Sequence, residues 1–218
     1  MGLSIIAALL TINLVSFRQY SEVPEPVYVL ENREKAVYLT FNVLWPDESL
    51  YEIAEILDIY EVSAVFFLTG EWLEKHPEEG ALLLHEGHEL GFQGFSRQSM
   101  LLQEENSIRE QLEQFKHLCL DTFNYHPLFF RPPYGEYNAR IVRTAKDMGY
   151  TTLLWNMNPC LIPGQEIEQV LLRLEERLQE GAVLLFPASS SSIEVLTETL
   201  DFLTWKGYDF GSPENLYR

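Results

Sequence analysis

The 218-residue chain is predicted to be an α/β protein built on a parallel sheet, and three observations carry that expectation. Short apolar, β-branched or aromatic runs alternate with helical patterns from residue 36 to residue 210. Glycines 87, 149, 181 and 207 stand where a helix must stop before the next run, a position that favours the left-handed conformation. The runs are almost continuously apolar, as strands covered on both faces are. Seven runs and six helices between them imply parallel βα units with right-handed crossovers. An open doubly wound sheet and a closed barrel both satisfy this pattern.

The elements follow in order. Ala36–Phe41 reads as the first strand, and the helix over 49–60 starts after the acidic pair Asp47-Glu48. Ala64–Leu68 is the second strand, followed by one helix over 71–85 that Gly87 ends. His88–Phe92, a helix over 103–120 and Leu128–Arg131 come next, then a helix over 138–148 closed by Gly149. Thr151–Trp155, a helix over 166–179, Ala182–Phe186, a helix over 193–206 and Tyr208–Phe210 complete the pattern. There is no internal repeat, and Ser189–Ser192 is the one low-complexity stretch.

Composition excludes several classes. Fifteen basic residues against 33 acidic ones give a net charge of −18, which repels a nucleic-acid partner. Apolar residues at 46% and aromatics at 13% exclude wholesale disorder. Two cysteines 40 residues or so apart, Cys119 and Cys160, make two free buried thiols rather than a disulfide scaffold. Residues Met1 to Phe17 carry no charged side chain. A helix of that length is about 25 Å long, close to what a signal or anchor segment needs. The expected layout is an apolar signal/anchor segment over 1–20, a linker over 21–35 and one domain over 36–218. This places the domain outside the cytoplasm, secreted or tied to the membrane through its N-terminal segment, with an uncleaved anchor favoured because no small-x-small cleavage site follows the run.

In either architecture the chemistry belongs to the loops after the strands. Those loops carry a recognisable series. Phe129-Phe-Arg-Pro-Pro-Tyr-Gly-Glu-Tyr-Asn138 resembles the Arg-Pro-Pro-Tyr-Gly motif of the polysaccharide deacetylase (NodB-homology) family. Leu39-Thr-Phe-Asn-Val43 resembles that family's Thr-Phe-Asp-Asp, and Ala64-Val-Phe-Phe-Leu-Thr-Gly70 its second strand. Gly87-His-Glu-Leu-Gly-Phe-Gln-Gly-Phe-Ser-Arg97 is similar to Gly-His-Glu-Ile-Gly-Asn-His-Thr-x-Ser-His. Leu154-Trp-Asn-Met-Asn158 and Gly181–Pro187 resemble the last two motifs, and Trp45-Pro-Asp-Glu48 resembles the sporulation-associated branch. The resemblance implies a distorted (β/α) barrel of about seven parallel strands. It also implies a zinc or other divalent metal held by one Asp and two His, with another Asp as base and a His as acid.

Carried over residue by residue, that machinery is missing. The base position holds Asn42 and the metal carboxylate position Val43. The two metal histidines are replaced by Gln93 and Arg97, and a guanidinium has no lone pair for a metal. Pro187 occupies the acid position and Asn158 that of the fourth-motif Asp, so that Arg131 alone is retained among the chemical groups. Of the five histidines, His76, His85, His88, His117 and His126, none is predicted at a strand end facing the site; His88 matches the family's structural histidine. No Gly-x-Ser-x-Gly elbow surrounds Ser189–Ser192, and no glycine-rich phosphate loop is present.

The expectation is an exported, cell-envelope or spore protein of this family that lacks metal-dependent N-deacetylation and needs no cofactor. It would bind N-acetylated cell-wall glycan through Tyr134, Arg131 and Trp155, or act as a scaffold. The competing expectation is an active deacetylase with a displaced site built from Asp47, Glu48 and Arg131. Arg97 is expected to turn into the former metal pocket and pair with Asp47 or Glu48, or to bond Asn42, supplying a fixed positive charge.

Overall fold

The computed structural model describes residues 24–31, 35–44, 49–161 and 164–216. Seven strands form one all-parallel sheet: β1 (Ala36–Asn42), β2 (Val65–Leu68), β3 (Glu89–Phe92), β4 (Phe129–Phe130), β5 (Thr151–Thr152), β6 (Ala182–Pro187) and β7 (Asp209–Phe210). The order is β5-β4-β3-β2-β1-β6, and β7 pairs the start of β1, with Ala36 opposite Asp209. The helices are α1 (Ser49–Ile59), α2 (Gly70–Lys75), α3 (Pro77–His85), α4 (Glu105–Phe123), α5 (Ala139–Asp147), α6 (Ile167–Arg177) and α7 (Ser190–Lys206).

The sheet curls until β5 and β6 nearly meet, so the barrel outcome holds over the open sheet. Met157 bridges to Leu184 beyond the end of β5. The remaining gap is spanned by residues from the expected linker: Val27 bridges to Leu153 and Val29 to Ala182. Leu30 donates its N–H to the Gly181 carbonyl at 2.8 Å and is 2% exposed. Residues 24–31 are therefore seated on the barrel rather than hanging from it. Gly181, at φ 76°, makes that seat possible, because a Cβ there would overlap the Leu30 carbonyl oxygen. The expected signal/anchor segment over 1–20 lies outside the described residues, and no helix among the described residues is long and apolar enough to cross a membrane.

Strand alternation sorts the core into two layers. Tyr38, Val65, Phe67, Phe129, Leu153 and Val183 fill the barrel interior. Val37, Leu39, Phe41, Phe66, Leu90 and Phe92 face outward beneath the helices, where Phe41 stacks on Phe66 at 4.8 Å and on Phe186 at 5.6 Å.

The local differences from expectation have simple causes. The single helix expected over 71–85 is two, because Pro77 cannot continue a helix and takes the first position of α3 instead. α7 begins at Ser190, so the serine run forms its first turn, with Ser189 as its N-terminal flank. β4 and β5 are two residues each. Cys119 is buried, Cys160 half-buried, and both are free.

His88 sits just before the amino end of β3, 4% exposed, accepting the Ala64 N–H at Nδ1 and packing 5.0 Å from the Phe66 ring. Burial pushes its pKa from 6.5 down to about 4. The unfolded chain then takes up this proton at a higher pH than the folded one. Stability is complete above about pH 6.5 and is lost as the pH falls towards 4. The expected loss from this residue is about 2–3 kcal/mol between pH 7.5 and 4.5. Urea unfolding of the wild type and of His88→Asn at both pH values isolates it; an equal acid loss in both proteins would refute the assignment.

Candidate functional site

The carboxyl ends of the strands converge on a groove of about 230 Å³. Asn42 at the end of β1, Gln93 and Arg97 after β3, Pro133 and Tyr134 after β4, and Trp155 after β5 line it, with Leu44 and Leu185 adding apolar wall. A larger cavity of about 510 Å³ lies between residues 24–31, α5 and β5, and none of the motif positions of the groove lines it.

Under the groove lies Arg131, at 0% exposure. Its Nε–H donates to the Leu153 carbonyl at 3.0 Å. One terminal nitrogen donates to Asn42 Oδ1 at 2.8 Å; the other donates to Thr40 Oγ1 at 2.9 Å and to the Leu154 carbonyl at 3.3 Å. The guanidinium lies 3.8 Å from the Phe67 ring centroid and 5.3 Å from that of Trp155. All four hydrogen-bond acceptors are neutral, and burial pulls the Arg131 pKa well below its ordinary value. Thr40 was not foreseen as a partner. The signal was present, since Thr40 and Asn42 are two apart on one strand and so share its inner face.

The same alternation turns Val43 away. It is 1% exposed and belongs to the core between sheet and helices, not to the groove. Gln93 is 6% exposed, and its buried Oε1 has no hydrogen-bond partner among the described residues. Tyr134 stands in a left-handed conformation, φ 62° and ψ 5°, in the 3-10 turn Pro133–Gly135. That backbone holds its ring at the groove, 59% exposed, with its hydroxyl donating to the Arg97 carbonyl at 2.7 Å. Trp155 packs over the edge of Gly135, where a Cβ would come within 2.9 Å of its ring.

Arg97 is exposed on the groove wall, its guanidinium carbon 5.9 Å from the Tyr134 centroid. Asn42 Oδ1 accepts a hydrogen bond from Arg131, which reaches it from below the groove. Asp47 and Glu48, the other expected partners, lie outside the described residues. Pro187 pairs in register with Asn42 across β1 and β6 and has no proton to give. Asn158 does not line the groove; its Oδ1 accepts the Cys160 N–H at 2.9 Å and braces its own loop. Arg131 corrects one expectation: fully enclosed, it reaches a ligand only through Asn42 and not by direct contact.

Zinc requires Cys, His or carboxylate ligands. The described groove residues offer two amides, a guanidinium, two aromatic rings, a proline and two leucines, which do not fit such an ion. Among the described residues no group of three or more His, Cys, Asp or Glu could hold a metal.

A family model for polysaccharide deacetylase matches residues 30–153. The uncharacterized protein YlxY of Bacillus subtilis is 25% identical over 193 residues, covering 88% of this chain and 60% of that protein. A peptidoglycan-N-acetylglucosamine deacetylase of Bacillus cereus is 28% identical over 200 residues, covering 86% of this chain and 90% of its own. Among solved structures, a CE4 family pseudoenzyme from Bacillus anthracis superposes with a TM-score of 0.81 at 29% identity, over 88% of this chain and 69% of that one. A mutant of that pseudoenzyme, described as having restored enzymatic activity, superposes with the same TM-score of 0.81.

Proposed function

We propose that this chain, which belongs to the polysaccharide deacetylase family, is a non-catalytic member that binds cell-wall glycan in the extracytoplasmic envelope. The observation that carries the reading is the floor of the groove. Where deacetylation needs a base, an acid and metal ligands, the described floor and walls present Asn42, Gln93, Arg97 and Pro187 on β6 beside them. An amide, a guanidinium and a proline ring cannot shuttle a proton at neutral pH. The aromatic walls, Tyr134 and Trp155, remain suited to stacking on a sugar ring. The peptidoglycan deacetylases among its relatives supply the ligand class, N-acetylated wall glycan. Export through the apolar segment over 1–20, ahead of a barrel that residues 24–31 already join, belongs to the same proposal.

Binding of N-acetylglucosamine oligomers to the purified chain, read by calorimetry, tests it. Tyr134→Asn removes the ring while tolerating the left-handed backbone. The variant is expected to bind about tenfold more weakly, equivalent to about 1.4 kcal/mol, with an unchanged melting temperature. Oligomers that do not bind the wild type would count against glycan recognition and leave a scaffold.

A further inference from the structure

The fixed orientation of Asn42 gives the groove a polarity opposite to that of a catalytic floor. A guanidinium only donates, so the bond from Arg131 to Asn42 at 2.8 Å identifies the oxygen end of this amide. The Nδ2 end is then the one that faces the groove, offering N–H donors where a base would offer an acceptor. Beneath it the buried guanidinium has four neutral acceptors, two carbonyls, Thr40 and Asn42. Gln93 is a second amide on the same groove, more than nine-tenths buried, and its Oε1 is unpartnered. That oxygen is the enclosed end of the amide, which leaves Nε2 as the end turned to the groove. Arg97 adds a guanidinium to the wall. Among the described residues lining the groove there is no Asp or Glu, although the whole chain carries a net charge of −18. A cleft of one sign within a surface of the other focuses its field on ligands of opposite charge.

We infer that the groove is a carboxylate subsite, with Asn42 Nδ2 and Gln93 Nε2 as the donors and the enclosed Arg131 as the source of positive potential. This rests on the glycan-binding reading and narrows it to glycans that carry an acidic substituent. The acid, and not the sugar ring alone, then sets the affinity.

The experiment is calorimetric titration of the purified chain with three probes: N-acetylmuramic acid, N-acetylglucosamine and acetate. The first two share a ring and differ by a lactyl carboxylate. N-acetylmuramic acid is expected to bind at least about tenfold more tightly. Acetate binding at comparable strength would keep the subsite and make a free acid its source; acetate much weaker than N-acetylmuramic acid would tie the carboxylate to the sugar. Asn42→Asp provides the control. It sets a carboxylate against Arg131, so it is expected to raise the melting temperature while abolishing the preference for the acidic probe. Loss of binding in a variant that is more stable cannot come from misfolding. Equal binding of N-acetylglucosamine and N-acetylmuramic acid, or an acid preference that survives Asn42→Asp, overturns the inference and leaves glycan binding standing. Failure of N-acetylmuramic acid, N-acetylglucosamine and its oligomers alike to bind overturns both.

Discussion

Replacing Arg131 by methionine is expected to lower stability by about 3 kcal/mol or more, although methionine fills much of the same volume. The substitution leaves Asn42 Oδ1, Thr40 Oγ1 and the carbonyls of Leu153 and Leu154 without their donor. A buried acceptor left unbonded costs about 1–3 kcal/mol. Relief from burying a cation among neutral groups offsets part of that sum, which is why the net is smaller than four such losses. For a domain of this size the melting temperature should drop by roughly 10 °C. Arg131→Lys should recover little of it, because one ammonium cannot reach acceptors spread around a planar fork. Calorimetric melting of the two variants beside the wild type measures the effect. A methionine variant as stable as the wild type would mean that this network does not tie β1 to the chain following β4 and β5.

The second large effect concerns activity. Reinstating family residues singly at Asn42, Val43, Gln93, Arg97 or Pro187 is expected to yield no deacetylation, whereas reinstating all five together should yield some. Base, acid and metal ligands act as a unit, so their losses are strongly non-additive. The fold adds a reason of its own for one position. Val43 is 1% exposed in the core between sheet and helices, so Val43→Asp alone buries a carboxylate among apolar side chains. The backbone after β1 would have to turn that side chain into the groove before it could hold a metal. The B. anthracis pseudoenzyme, whose mutant is described as having restored enzymatic activity, shows that a member of this fold can be brought back. Acetate release above background from any one single variant of this chain would contradict the expectation.

Much of this was legible in the residues. Four glycines placed before apolar runs all have positive φ; Gly87, Gly149 and Gly207 follow the ends of helices, whereas the helix before Gly181 already stops at Arg177. The strand-end loops named the groove because parallel βα units must present them on one face, and six of the motif residues do meet there: Asn42, Gln93, Arg97, Pro133, Tyr134 and Trp155. Other features were not legible for physical reasons. Which face Val43 takes depends on where β1 ends, and one residue of register inverts it. The depth of Arg131 depends on how far the sheet curls, which no local pattern encodes. The seat of residues 24–31 across the gap between β5 and β6 is a long-range pairing, hidden in a stretch whose prolines and glutamates read as a linker. The break at His76-Pro77 was legible in principle, since proline cannot continue a helix, but apolar periodicity ran on through it.

The central claim is that this barrel keeps a ligand groove without deacetylation chemistry. It is tested most directly by incubating the purified chain with N-acetylglucosamine oligomers in the presence of added zinc. Acetate release and the zinc retained after gel filtration are measured on the same sample. The account predicts no acetate above background and no stoichiometric zinc. Turnover accompanied by one tightly held zinc per chain would contradict it.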